Sequence, residues 1–173
     1  MIGLACALIL FSGIGLAGAA PQESDFQDVT ADHWGNEAIH WAKEHGIVDG
    51  YPDGTFKPDQ SVGQTEFLAM LIRAYQPKDF SEQSMDGDWR TPYIRYGFKM
   101  GWSGSYITPP ASKLSQLPSS DIFMPRMYVA KLIANASGRN YDFNDSIQYL
   151  LDSGLSEGKT DRTVEGFQGH DLL

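Results

Sequence analysis

The decapeptide Gly50-Tyr51-Pro52-Asp53-Gly54-Thr55-Phe56-Lys57-Pro58-Asp59 constrains this chain more than any other segment. Two glycines and two prolines bracket a single Phe. Neither a helix nor a long strand runs through such a stretch, so it reads as a tight, prefolded loop. Gly50 and Gly54 fit positions that require positive φ. Helical patterns lie on both sides. Upstream, Trp34, Ala38, Trp41 and Ala42 recur at i, i+4, i+7 and i+8, and Gly46 stands where a C-cap glycine belongs. On that spacing Trp34 is expected to face a core. Downstream, Phe67, Leu71 and Ala74, reinforced by Leu68 and Ile72, form a second stripe. Phe26 to Tyr75 is therefore expected to fold as helix, Gly-rich loop, helix.

The unit recurs. Asp88-Trp89, Tyr93-Ile94, Gly97 and Gly101-Trp102 mirror His33-Trp34, Ala38-Ile39, Ala42 and Gly46-Ile47 at a constant offset of 55. Arg126, Leu132, Ile133 and Ala136 mirror Gln64, Met70, Leu71 and Ala74 at an offset of 62, which places a seven-residue insertion between Ser103 and Asp121. Ser146-Ile147, Leu150, Gly154-Leu155 and Gly158 match Ala38-Ile39, Ala42, Gly46-Ile47 and Gly50 at an offset of 108, with Phe167 in the part of Phe56. Leu173 then falls opposite Val62, so the third unit is expected to be incomplete, without a second helix. Repeat one spans about 25–76, repeat two about 84–138 and partial repeat three about 141–173. One such unit cannot bury its own apolar stripe, so stability requires packing between units.

Residues 1–19 read as an export signal: Leu4 to Leu16 is almost unbroken apolar sequence, and Ala17-Gly18-Ala19 suits cleavage before a mature start at Ala20. The single cysteine, Cys6, lies inside that segment, so no disulfide is expected to support the fold. The formal net charge of −9 argues against nucleic acid and anionic lipid as partners. It also means that binding an anionic polymer requires a few well-placed cations acting against the overall field.

No nucleophile elbow, phosphate loop or Cys/His pair appears, and catalysis is not expected. No cofactor is implied. Asp49, Asp53 and Asp59 fail as a calcium loop, because Tyr51 and Gln60 occupy positions that need oxygen ligands. His33, His40, His45 and His170 lack metal-ligand spacing.

Phe26-Gln27-Asp28-Val29, His33-Trp34, Ala38-Ile39, the run from Gly46 to Phe56, and Glu66-Phe67 together resemble an S-layer homology repeat. The resemblance implies a mainly α fold, with helix-loop-helix repeats arranged as a pseudo-threefold prong and the second helices at its centre. It also implies a secreted, cell-surface protein that anchors non-covalently to secondary cell-wall polysaccharide, with a pyruvylated amino sugar as the epitope. In the family the second helix opens Thr-Arg-Ala-Glu, whose Arg points into the polymer groove. Here repeat one reads Gly63-Gln64-Thr65-Glu66, so an uncharged Gln64 replaces that Arg, while Arg126 keeps it in repeat two. By the resemblance Arg126 is the main anionic anchor, with Gln64, Lys57, Tyr51 and Gly50 as further ligand contacts. The alternative is an assembly protein whose incomplete third repeat pairs with another chain and binds little sugar. In either case a vacant third place is expected to expose Phe67, Leu71, Val129 and Ile133.

Overall fold

The computed structural model describes residues 25–84, 86–102 and 123–171. The expected export signal, the Ser103–Asp121 insertion and Leu173 lie outside the described residues. Among those residues five helices carry the fold: α1 (Asn36–Glu44), α2 (Gln64–Tyr75), α3 (Arg90–Lys99), α4 (Arg126–Ala136) and α5 (Phe143–Asp152). The described residues contain no strand, only an isolated antiparallel bridge between Gly63 and Phe123. The mainly α class expected from the sequence is the one observed.

One local device ends the first helix of every unit. Gly46, Gly101 and Gly154 take φ of 66°, 70° and 68°. The next residue's N–H then turns back to a carbonyl five positions earlier: Ile47 to Ala42 (2.8 Å), Trp102 to Gly97 (2.8 Å) and Leu155 to Leu150 (2.9 Å). This satisfies carbonyls that the helix end leaves open, and glycine reaches the left-handed region without a Cβ penalty. At the start of α2, the Gly63 N–H donates to Glu66 Oε2 at 2.9 Å. Glycine has no side chain to return that bond, so only half of a capping box forms. Asp142 caps α5 by accepting the Asp145 N–H.

Packing follows a rule across units. The second helix of one unit lies on the first helix of the next, α2 on α3 and α4 on α5, while α2 and α4 also meet directly. The main core joins Leu68, Ile72, Tyr93, Tyr96, Trp102, Val129 and Leu132. Gly97 allows the close α2–α3 approach, because a Cβ there would stand 2.8 Å from Leu68 Cδ2. A second core joins Ala130, Ile147, Leu150, Leu151 and Phe167. A small third core of Phe26, Val29 and Ile39, with Phe56 against it, lies under the first loop.

Two expectations are corrected here. Trp34 is 88% exposed and Trp41 53%, so the α1 stripe does not face a core. The counterpart of Trp34 in the second unit, Trp89, is also half-exposed. The counterparts of Ala38, Trp41 and Ala42 on α3 (Tyr93, Tyr96, Gly97) and of Ala38 and Ala42 on α5 (Ser146, Leu150) are instead buried, where α2 and α4 lie on those helices. Among the described residues no helix is packed closely over that face of α1. The helix is instead held from its other side by buried Ile39 and by polar contacts of Asn36, His40 and Lys43 with the segments flanking it. Conversely, Val129 is buried, and Phe67, Leu71 and Ile133 are partly buried against the main core. Direct contact between α2 and α4, with Phe80, Met124 and Tyr128 packed around them, closes the surface that was expected to lie open.

Candidate functional site

The Gly-rich loop is held in shape from outside itself. Asp28 accepts the backbone N–H groups of Phe56 (2.8 Å) and Lys57 (2.7 Å), tying the segment before α1 to the far side of the loop. The Phe56 N–H is the largest cause that holds the Asp28 carboxyl below its usual range, with the Lys57 N–H contributing. The clamp is therefore fully present above the ordinary carboxylate pKa and is lost as pH falls through the lowered value. Inside the loop, the Tyr51 N–H donates to the Thr55 carbonyl (2.8 Å) and the Gly54 N–H to that of Tyr51 (3.0 Å). Asp53 Oδ1 accepts from the Thr55 N–H (3.1 Å) and hydroxyl (2.6 Å), an Asx turn. Lys57 itself lies in the left-handed region, at φ 58°, which aims its side chain back over the loop.

This rigid loop forms one wall of a cleft of about 640 Å³. The outer face of α2, with Glu66, Phe67 and Arg73, forms a second wall, and Trp89 from the start of the second unit closes the end. Tyr51 donates its hydroxyl to Glu66 Oε1 at 3.0 Å, and the Lys57 ammonium lies 4.0 Å from the Tyr51 ring centroid. Burial, then the Glu66 carboxylate, push the Tyr51 phenol up to about 12, so it is a neutral donor. Lys57 Nζ lies 3.7 Å from Asp53. Arg73 bridges units: Nη1 pairs with Asp49 at 2.8 Å, and Nε donates to Glu82 (3.1 Å) and to the Tyr93 hydroxyl oxygen (2.9 Å). Tyr93 in turn donates to Glu82 at 2.6 Å, and burial followed by that carboxylate push its phenol up to about 12.

Of the site residues read from the sequence, Gly50, Tyr51 and Lys57 come together in the cleft. Gln64 is 5% exposed at the opening of α2 and does not line it. Arg126 lies elsewhere, at the junction of α4 with the third unit. Its Nε donates to the Phe167 carbonyl (3.0 Å), its backbone N–H donates to that of Asp171 (2.8 Å), and its guanidinium lies 4.6 Å from the Phe167 ring centroid. Among the described residues no carboxylate pairs with it. Sequence reasoning missed Arg73 and Trp89. Arg73 is a lone cation in the last turn of an apolar helix, and Trp89 was visible only as the repeat partner of Trp34. Among the described residues, no group of three or more His, Cys, Asp or Glu side chains is placed to hold a metal ion. No helix of the described residues is long and apolar enough to cross a membrane.

Residues 25–64 match the family model described as the S-layer homology domain. The chain is 31% identical over 100 residues to a cellulosome-anchoring protein of Acetivibrio thermocellus, covering 50% of this chain and 22% of that protein. It is 35% identical over 81 residues to the S-layer protein sap of Bacillus anthracis, covering 44% and 10%. It is 29% identical over 151 residues to the outer membrane protein SlpA of Deinococcus radiodurans, covering 87% and 11%. The chain thus spans less than a quarter of the length of each of these relatives.

Proposed function

The chain carries an S-layer homology domain, and from that premise we propose that it is a non-enzymatic anchoring module at a bacterial cell surface. Its ligand is a secondary cell-wall polysaccharide bearing carboxylated sugars, of which a pyruvylated amino sugar is the best fit. The cleft between the first loop, α2 and Trp89 carries this reading. It combines two cations, Lys57 and Arg73, with the ring of Tyr51 and the half-exposed ring of Trp89. An aromatic face suits a pyranose ring. A guanidinium offers a fork to a carboxylate, and an ammonium offers a point charge. Against a net charge of −9, and with Asp49 and Glu66 lining the cleft beside Lys57 and Arg73, an anionic polymer is held here by specific pairings with these two cations rather than by an overall positive field.

Sedimentation with purified wall sacculi, before and after polymer extraction, tests this proposal. Lys57→Ala is expected to cost about 1.5–3 kcal/mol of affinity, as for a hydrogen bond to a charged group. Trp89→Ala is expected to cost about 0.5–1.5 kcal/mol through lost ring contact. Sacculi stripped of polymer should not bind. Unchanged binding in both variants, with loss in Arg126→Ala at unaltered melting temperature, would move the anchor to the α4–Phe167 junction.

A second reading rests on α1. Trp41 on α1 and Trp34 just before it are exposed, whereas Tyr93 and Tyr96, the α3 counterparts of Ala38 and Trp41, are buried under α2, which supports pairing with another chain. By this reading, light scattering detects concentration-dependent association, and Trp41→Glu abolishes it. A wild-type protein that stays monomeric at every concentration removes this reading and leaves the cleft unaffected.

A further inference from the structure

Both cations of the cleft are occupied in the unliganded protein, and by acids at its rim. Asp49, 67% exposed, holds Arg73 Nη1 at 2.8 Å, and Asp53, 58% exposed, lies 3.7 Å from Lys57. The two pairs differ in what else holds the cation. Arg73 keeps Glu82 and Tyr93 on its Nε, so its guanidinium stays anchored in the cleft wall if the Asp49 contact is broken. Lys57 has a flexible stem and, among the described residues, no second carboxylate. Asp49 loses little when this contact breaks, because its carboxylate is already largely in solvent and water takes the place of the guanidinium. An exposed ion pair of this kind is weak, while a ligand carboxylate engaging the same guanidinium edge would do so inside the cleft.

We propose that Asp49 is an internal counterion of Arg73, displaced by the carboxylate of the bound sugar, which makes Arg73 a specificity-determining residue for carboxylated over neutral sugars. The inference rests on the anchoring reading above and names the group that reads the charge. It gives Asp49 a definite role: while Glu82 and Tyr93 hold the Nε edge, the acid occupies the Nη1 edge until a ligand anion replaces it.

Calorimetric titration of the protein with a pyruvyl-ketal amino-sugar glycoside, and with the same glycoside after reduction of its carboxyl to an alcohol, tests the exchange. Asp49→Asn should bind the carboxylated probe about 1.5- to 5-fold more tightly, the range of an exposed ion pair. It should leave the reduced probe unchanged. Asp59→Asn removes an acid from the same loop that does not touch Arg73, so it should produce no gain. In an Arg73→Gln background the Asp49→Asn gain should vanish, as a double-mutant cycle requires for a direct pair. If Arg73→Gln fails to fold, the contrast between Asp49→Asn and Asp59→Asn decides by itself. Wild-type binding that Asp49→Asn leaves unaltered overturns the exchange alone. An equal gain in Asp59→Asn, or an equal gain for the reduced probe, also overturns it. A wild-type protein that binds neither probe nor sacculi overturns the anchoring reading itself.

Discussion

Ile72→Ala is expected to lower stability by about 2–5 kcal/mol, the range for removing a fully enclosed aliphatic side chain. Ile72 has 0% exposure and lies in the core shared by α2, α3 and α4. Helices of the first and second units meet in that core, so a cavity there weakens the α2–α3 and α2–α4 contacts together. Relaxation into the space is limited, because Tyr93, Tyr96 and Trp102 are rigid aromatics fixed by ring contacts with Phe80 and Tyr75. Urea titration should show a lower midpoint at unchanged slope. Leu155→Ala is the control, since Leu155 is 58% exposed and its loss should stay within about 0.5 kcal/mol. Equal effects in the two variants would mean that α2, α3 and α4 do not share a tight core in solution.

Gly50→Ala is expected to disturb the loop more than any other glycine substitution in the first unit. Gly50 takes φ of 76°, and a Cβ there would stand 2.9 Å from the Thr55 carbonyl oxygen and collide with the Phe26 ring. The same carbonyl accepts the Tyr51 N–H, so it cannot retreat without opening the turn. Gly46 separates the two causes: its φ is 66°, yet a Cβ would meet nothing within 4 Å. Gly46→Ala should therefore cost about 1–2 kcal/mol for the left-handed backbone alone. Gly50→Ala should add about 1–3 kcal/mol of overpacking to that. Because Tyr51 and Lys57 are aimed by this loop, Gly50→Ala should also lose sacculus binding, whereas Gly46→Ala should keep it. Matching losses of stability in the two variants would show that steric crowding plays no part.

Each unit's first helix and its glycine stop, and the loop of the first unit, were legible because their causes are local. The Gly46, Gly101 and Gly154 stops each depend on one residue's φ and a hydrogen bond spanning five positions, and they recur at the spacing seen in the sequence. Gly50, Tyr51 and Lys57 could be grouped in advance for the same reason, since eight consecutive residues folded as one turn bring them together. Gln64 and Arg126 were harder. Their place in the helix-opening motif is a local property, but whether that point faces a cleft, a core or a neighbouring unit is not. Gln64 is buried, and Arg126 is turned onto the Phe167 carbonyl 41 positions away.

The sequence by itself determined where helices start and stop and which glycines turn the chain. These depend on backbone conformation and bonds between near neighbours. Only the tertiary structure decided which apolar stripes are covered. The periodicity of Trp34, Ala38 and Trp41 marks an apolar face, but a face is buried only if another element lies on it, and the helices that cover α3 and α5 have no counterpart over α1 among the described residues. The tertiary structure also selected Arg73 and Trp89 for the cleft. A cation at the end of α2 and an indole before α3 line one cleft because α2 packs on α3, and that approach depends on Gly97 fitting against Leu68 across 29 positions of chain.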